Sequence, residues 1–210
     1  MLAMGLARLL LDNGWINRPY ITEQTDMPLL VRGDTGKFLR ESDVKAGGDA
    51  EIFYLWDQRR QQIVPAPGCM GLARRQKEKA SIRLDGLDVA LEGLFAVTLA
   101  DGTEVKVTTV FEHLKEALKN YPLEKVAEIT GLPAREIEAM ARDLGTRHPA
   151  MIIHGAGTNH WFHNDSINRA MILLVALTGN VGVNGGGFNH YVGQERIWPE
   201  HGFKALAFPR

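Results

Sequence analysis

Two neighbouring stretches decide the fold: Met-Ile-Ile-His-Gly-Ala-Gly-Thr-Asn-His-Trp-Phe-His at residues 151–163, and Thr-Gly-Asn-Val-Gly-Val-Asn-Gly-Gly-Gly-Phe-Asn-His-Tyr-Val-Gly-Gln at residues 178–194. The segment 150–210 around them contains seven charged side chains but five of the seven histidines. Glycine lets the main chain approach a ligand closely, and buried imidazoles and amides need polar partners. The composition therefore predicts a surface that faces a polar ligand, against the alternative of a glycine-rich surface loop beside core histidines.

The order of local patterns in this segment is typical of an α/β protein. A short apolar run, 150–154, predicts a buried strand, and the apolar run 167–177 predicts a helix after the glycine loop. Strand, glycine loop and helix form the repeating unit of a parallel sheet, in which ligands lie beyond the carboxyl ends of the strands. The predicted fold class is therefore α/β, with parallel βαβ elements.

The rest of the chain is predicted to be scaffold. Alternating apolar residues between Leu94 and Val110, around Asp101-Gly102, predict a β-hairpin with a type I′ turn. A weaker pattern predicts a strand at 51–57. Apolar spacing predicts helices at 2–13, closed by Asn13-Gly14, and at 21–25, 110–120, 123–129 and 134–144.

Composition excludes several classes of partner and site. The chain has 210 residues and a net charge of −1, so it has no general attraction for nucleic acid. The helix pair within 122–146 has a helix-turn-helix outline, but its second helix carries a net negative charge, which argues against DNA binding. One cysteine, Cys69, excludes an internal disulfide and an iron–sulfur cluster held by this segment alone.

Two further motifs suggest other ligands. Gly155-Ala156-Gly157 begins like a dinucleotide fingerprint, but His160 stands where the third glycine belongs, so a nicotinamide cofactor is not expected. His160 and His163 could lie on one helical face as zinc ligands, with Asp165 or His190 completing a hydrolase site. That spacing matches no known zinc motif, but the hypothesis stays open.

The two stretches, together with Thr25-Asp26-Met27-Pro28, the hairpin 99–110 and Ile129-Thr130-Gly131, resemble the molybdopterin oxidoreductase family named after dimethyl sulfoxide reductase. Within it they are most similar to the alpha subunits of respiratory nitrate reductase and nitrite oxidoreductase. Perchlorate, selenate and dimethylsulfide enzymes are related alternatives. The resemblance implies oxygen-atom transfer at molybdenum held by two molybdopterin guanine dinucleotides, with nitrate or nitrite as substrate.

The resemblance also implies partners and roles for residues. It implies an iron–sulfur electron-transfer subunit, a membrane or haem subunit, and a 4Fe-4S cluster and molybdenum ligand outside this segment. The side of the membrane stays open. Asn159, His160 and His190 are expected at the catalytic pocket. The residues expected to bind cofactor are Gly155, Gly157, Asn159, His160, Gly185, Gly186, Gly187, Tyr191 and Val192.

Family members are several times longer, so the chain is expected to be an internal fragment. We expect one partial domain over 1–210, with an irregular and hairpin insertion at about 26–110 and a cofactor-facing α/β part at about 111–210. A small stand-alone α/β binding module remains the alternative from another functional class.

Overall fold

The computed structural model describes residues 1–69 and 83–190. Within these ranges the chain forms seven α-helices, seven strands and a 3-10 helix. The helices are α1 (Leu2–Asp12), α2 (Arg18–Gln24), α3 (Glu41–Val44), α4 (Val110–Leu118), α5 (Leu123–Thr130), α6 (Ala134–Thr146) and α7 (Asn164–Leu177). The strands are β1 (Leu30–Arg32), β2 (Tyr54–Asp57), β3 (Gln62–Pro65), β4 (Leu94–Thr98), β5 (Glu104–Thr109), β6 (Met151–His154) and β7 (Gly187–His190).

The largest apolar cluster holds the helices together. Helix α1 buries Leu6, Ala7 and Leu10 on one face, as its apolar spacing predicts, and packs against α4, α6 and α7. Gly14 ends it with a φ of +67°, which confirms the predicted left-handed cap. Residues at both ends of the described chain therefore share one core.

Three strands form an antiparallel sheet with the order β1-β5-β4. The predicted hairpin is confirmed, because β4 pairs with β5 and Val97 lies opposite Val105. Alternate residues Val105 and Val107 are buried in a second apolar cluster. A separate two-stranded ribbon pairs β2 with β3, so the predicted strand at 51–57 is confirmed over Tyr54–Asp57.

The predicted type I′ turn is wrong, because such a turn needs positive φ at both central residues. Among the described residues, only Gln61 and His163 combine a side chain with positive φ, so Ala100 and Asp101 keep negative φ. Gly102 alone is left-handed, at +86°, and its N–H donates to the Leu99 carbonyl at 3.0 Å. The connection is therefore a three-residue loop that ends in a left-handed glycine.

This geometry makes a stability prediction. We expect Gly102→Ala to lower the free energy of unfolding by about 1 kcal/mol, since alanine is strained at positive φ. Urea unfolding of the full chain would measure it. Ala100→Gly, in the same loop at negative φ, is the matched control and should not reproduce the loss by the same mechanism. Equal stability of Gly102→Ala and the parent chain would contradict the assigned loop geometry.

The parallel element predicted around residue 150 is confirmed. Strand β6 pairs in parallel with β7, and the 3-10 helix (Ala156–His160) and α7 connect them. The prediction of a buried β6 is wrong, because Met151 is 42% and Ile153 is 81% exposed. An apolar run alone does not tell which faces of a strand are covered. In the described structure Met151 and Ile153 are exposed, whereas His154 is buried and Ile152 is half-buried. No helix in the described ranges is long and apolar enough to span a membrane.

Candidate functional site

The carboxyl ends of β6 and β7 lie side by side and carry the polar groups that the sequence singles out. His154 and His190, the last residues of the two strands, are partners in the parallel register, and their ring centroids are 4.9 Å apart. The 3-10 helix leaves β6 directly after His154, so Thr158 and Asn159 return to the same edge. This is where ligands bind in open parallel sheets.

Five side chains at this edge form a closed arrangement, which we call the polar ring: His154, Thr158, Asn159, Asn168 and His190. Asn159 Nδ2 lies 3.2 Å from His190 Nε2, and Asn168 Nδ2 donates to Asn159 Oδ1 at 2.8 Å. Thr158 Oγ1 donates to Asn168 Oδ1 at 3.4 Å and contacts His154 Nε2. The structure thus brings together Asn159 and His190, both predicted from the sequence.

Helix α7 fixes Asn159 in two ways. In its first turn, Asn164 Nδ2 donates to the main-chain carbonyl of Asn159 at 2.9 Å, and one turn later Asn168 holds the side-chain oxygen. The spacing of four residues puts both amides on one helix face. Asn159 is therefore a preorganised group, which is what charge stabilisation at an active site requires.

His154 is the group that sequence reasoning missed as a site residue. It is 2% exposed, its ring also lies against Phe188, and its Nδ1 is the only described buried side-chain nitrogen or oxygen without a hydrogen-bond partner. Asn164 and Asn168 were missed as well. One sequence feature could have indicated them: Asn164 and Asn168 are four residues apart at the start of a helix that follows a glycine loop.

The first predicted glycine pair fits a large ligand. A Cβ atom built on Gly155 or Gly157 meets nothing within 4 Å, so the main chain there faces open space beside the polar ring. Among described residues, nothing in the chain itself requires glycine at these two positions. An open main chain next to uncharged donors and acceptors suits a polar cofactor such as a pterin.

The second predicted group, Gly185 to Gly187, lies at the other end of β7. Gly187 pairs with Met151, so it is about 10 Å along the strand from His190. A Cβ on Gly186 would come within 2.6 Å of the Asn180 main-chain oxygen, and Gly185 and Gly187 have positive φ. Here the chain's own packing requires glycine, and the structure does not bring this group to the polar ring.

The remaining predicted residues occupy exposed or undescribed positions. His160 is exposed at the end of the 3-10 helix, and Trp161 and Phe162 beyond it are 71% and 88% exposed. Tyr191 and Val192 lie outside the described residues. In the described ranges no three His, Cys, Asp or Glu side chains are placed to hold a metal ion, so the zinc hydrolase hypothesis gains no ligand set.

Comparisons with known proteins agree with the resemblance. Residues 4–207 match the family model described as Molybdopterin oxidoreductase. The chain is 45% identical over 224 residues to perchlorate reductase subunit alpha of Dechloromonas aromatica (strain RCB), with 99% of this chain and 24% of that protein covered. It is also 45% identical over 213 residues to respiratory nitrate reductase subunit alpha of Haloferax mediterranei, with 99% and 21% covered.

A third relative is dimethylsulfide dehydrogenase subunit alpha of Rhodovulum sulfidophilum, 33% identical over 207 residues with 99% of this chain and 21% of that protein covered. The chain thus spans a quarter or less of the length of these curated relatives. The family match extends over nearly all of the chain. The chain belongs to the molybdopterin oxidoreductase family.

Proposed function

We propose that this chain is part of the catalytic subunit of a molybdenum oxidoreductase that transfers an oxygen atom between an oxyanion and water, with nitrate and nitrite as the substrate pair. The observation that carries the proposal is the polar ring, at the carboxyl ends of parallel strands in a chain of this family. In the reductive direction nitrate takes up two electrons and two protons and yields nitrite and water.

Family membership implies a molybdopterin cofactor. We further propose its guanine dinucleotide form, two copies of which would hold molybdenum; the metal would supply the oxygen-atom and electron transfer. Gly155 and Gly157 would offer main-chain N–H groups to it, together with Asn159 and His160. Gly185 to Gly187, with Tyr191 and Val192, would contact a different part of the same large cofactor.

The chain's own contribution to the chemistry is positioning and hydrogen bonding. Asn159 has a second amide hydrogen beyond the one that faces His190, and this hydrogen would donate to a substrate oxygen. Charge that develops on that oxygen would be stabilised by a donor already held in place by α7. His190 and the exposed His160 would complete the pocket wall.

Electrons would pass to or from partners of this subunit. We propose an iron–sulfur electron-transfer subunit, a membrane or haem subunit, and a 4Fe-4S cluster within the catalytic subunit. Such a cluster needs four ligands of the cysteine type, and the chain has one cysteine, so its ligands would belong to sequence other than this. We also propose that the chain is one partial domain over 1–210, in which about 26–110 is an irregular and hairpin insertion and about 111–210 is the cofactor-facing α/β part.

Perchlorate is a second candidate substrate, because one of the two relatives at 45% identity is named a perchlorate reductase subunit. The deciding experiment purifies the complete subunit that carries this chain with its partner and measures molybdenum content and reduction of nitrate, perchlorate and dimethyl sulfoxide by a reduced dye. We expect the largest kcat/KM with nitrate. Stoichiometric molybdenum without reduction or formation of any oxyanion would overturn the proposal.

The open glycines make a testable distinction between ligand contact and packing. We expect Gly155→Val and Gly157→Val to lower the molybdenum content at least about 10-fold, a loss of about 1.4 kcal/mol in cofactor affinity, because the new side chain would occupy space meant for the cofactor. The free energy of unfolding of the 210-residue chain, measured with urea, should stay within about 0.5 kcal/mol of the parent value.

Gly186→Val is the comparison for packing, since its side chain would collide with the Asn180 carbonyl. Its free energy of unfolding should fall, whereas that of the Gly155→Val and Gly157→Val chains should not. Full molybdenum content in Gly155→Val and Gly157→Val enzymes would remove both glycines from the cofactor site.

A further inference from the structure

The distances around the polar ring define one direction of hydrogen bonding. Asn168 presents Nδ2 to Asn159 Oδ1 at 2.8 Å and accepts at Oδ1 from the Thr158 hydroxyl. An amide has donors on one side and an acceptor on the other, so the orientation of one amide dictates that of the next. Asn159 must then turn Nδ2 toward His190 Nε2, as its distance of 3.2 Å shows.

The two histidines at the ends of this chain of hydrogen bonds have their roles fixed by it. The Thr158 hydroxyl has one hydrogen, and Asn168 Oδ1 and the Gly155 carbonyl oxygen, each 3.4 Å away, are its two oxygen acceptors. When that hydrogen goes to either oxygen, the hydroxyl accepts from His154. His154 must therefore carry a hydrogen on Nε2. At the far end Asn159 donates, so His190 Nε2 must accept and carry no hydrogen.

We propose that His154, Thr158 and Asn168 are positioning residues. Each group donates a hydrogen bond to the next, in the direction from His154 to His190, and this direction holds Asn159 as a donor toward an oxygen-bearing ligand. With Nε2 protonated, the buried Nδ1 of His154 is a bare acceptor, consistent with its lack of a partner among the described groups. Leaving an acceptor unpaired costs less than leaving a donor unpaired, since native structures tolerate unpaired acceptors more often. The alternative direction would place an unpaired N–H at that buried position.

The direction matters for the choice of ligand. An oxyanion has only acceptor atoms, so it needs donors in the pocket. In the assigned direction both amide hydrogens of Asn159 point away from α7, one to His190 and one to the ligand side. In the reverse direction Asn159 would donate one amide hydrogen to Asn168 and turn its side-chain carbonyl toward His190.

Asn168→Asp tests the direction, because a carboxylate accepts and does not donate. Asn159 would have to rotate its amide, and His190 would have to carry its hydrogen on Nε2. The measurement is ¹⁵N–¹H NMR of the histidine rings in the complete subunit, with ¹⁵N-labelled histidine and His190→Gln to assign the signal. We expect a hydrogen-free Nε2 on His190 in the parent enzyme and a protonated Nε2 in Asn168→Asp.

Asn189→Asp is the matched control. It adds the same charge on an exposed residue next to His190, and we expect it to leave the His190 signal unchanged. Thr158→Ser should also preserve the parent signal, because serine keeps the hydroxyl. A hydrogen on His190 Nε2 in the parent enzyme would overturn the inference without reference to any variant, as would an unchanged His190 signal in a folded Asn168→Asp enzyme.

The functional consequence rests on the proposed function and has a separate readout. We expect Asn168→Asp to lower kcat/KM for nitrate at least about 10-fold relative to Asn189→Asp, with molybdenum content equal in both, since a pocket donor is lost. Equal kcat/KM values would overturn the ligand-facing part of the inference. A parent enzyme without any oxyanion activity would overturn the proposed function, and the NMR result would still decide the direction of the ring.

Discussion

Asn180→Ala is expected to lower the free energy of unfolding of the chain by about 3 kcal/mol, through loss of buried hydrogen bonds at about 1 kcal/mol each and the cost of an unpaired amide. Asn180 is 1% exposed. Its Oδ1 accepts from the Ala150 main-chain N–H at 2.8 Å and lies 3.3 Å from His148 Nδ1, while Nδ2 donates to Thr178 Oγ1 at 2.7 Å. Alanine keeps none of these.

The position of Asn180 explains why the effect should be large. It ties the turn after α7 to Ala150, the residue before β6, and its own main-chain oxygen lies against Gly186, the residue before β7. Asn180 therefore joins the chain segments that lead into the two parallel strands. The half-buried Ala150 N–H would lose its side-chain partner in the variant, and an unsatisfied donor costs more than a lost contact.

Urea unfolding of the full chain, with Asn189→Ala as the control, measures this effect. Asn189 is exposed on β7, so its replacement should change stability by less than about 0.5 kcal/mol. Asn180→Asp separates the two halves of the interaction, because aspartate keeps the acceptor for Ala150 and loses the donor to Thr178. An Asn180→Asp variant more stable than Asn180→Ala would assign the main contribution to the acceptor, despite the cost of burying a carboxylate. Equal stability of the Asn180→Ala and Asn189→Ala variants would contradict the role of Asn180.

The parts of the fold that could be predicted from sequence are those set by local periodicity. The apolar spacing of α1, the break between α5 and α6 at Gly131, and the alternation of β4 and β5 each appear within about a dozen residues. The predicted turn type of the hairpin was wrong because Asp-Gly is compatible with more than one loop length. The loop length depends on how the flanking strands pair.

The site was predictable in its location and only partly in its residues. A glycine loop after an apolar strand indicates the carboxyl edge of a parallel sheet, and Asn159 and His190 meet there. His154 and Asn168 were missed because their roles depend on contacts that no short pattern shows. The same limit applies to Gly186, where glycine is required by a main-chain oxygen six residues earlier in the turn and not by a ligand at the polar ring.

The largest expected effect on activity belongs to Asn159. We expect Asn159→Leu to lower kcat/KM for nitrate by about 100- to 1000-fold, the range for losing one preorganised donor to a developing oxyanion. Leucine has nearly the same shape, so α7 and the 3-10 helix should keep their packing. The main-chain oxygen of Asn159, which accepts from Asn164, is unaffected by the substitution.

Molybdenum content decides what such a loss would mean, because Asn159 is proposed to face both cofactor and substrate. An equal molybdenum content with a reduced kcat assigns the lost hydrogen bond to the transition state, since loss of a contact equally strong in the ground state and the transition state would raise KM and leave kcat unchanged. A parallel loss of molybdenum would instead make Asn159 a cofactor-binding residue. Asn189→Leu, one residue from His190 and exposed, controls for an added apolar side chain at this edge. Activity within about threefold of the parent in Asn159→Leu, less than 1 kcal/mol of transition-state binding, would contradict the role of the polar ring in catalysis.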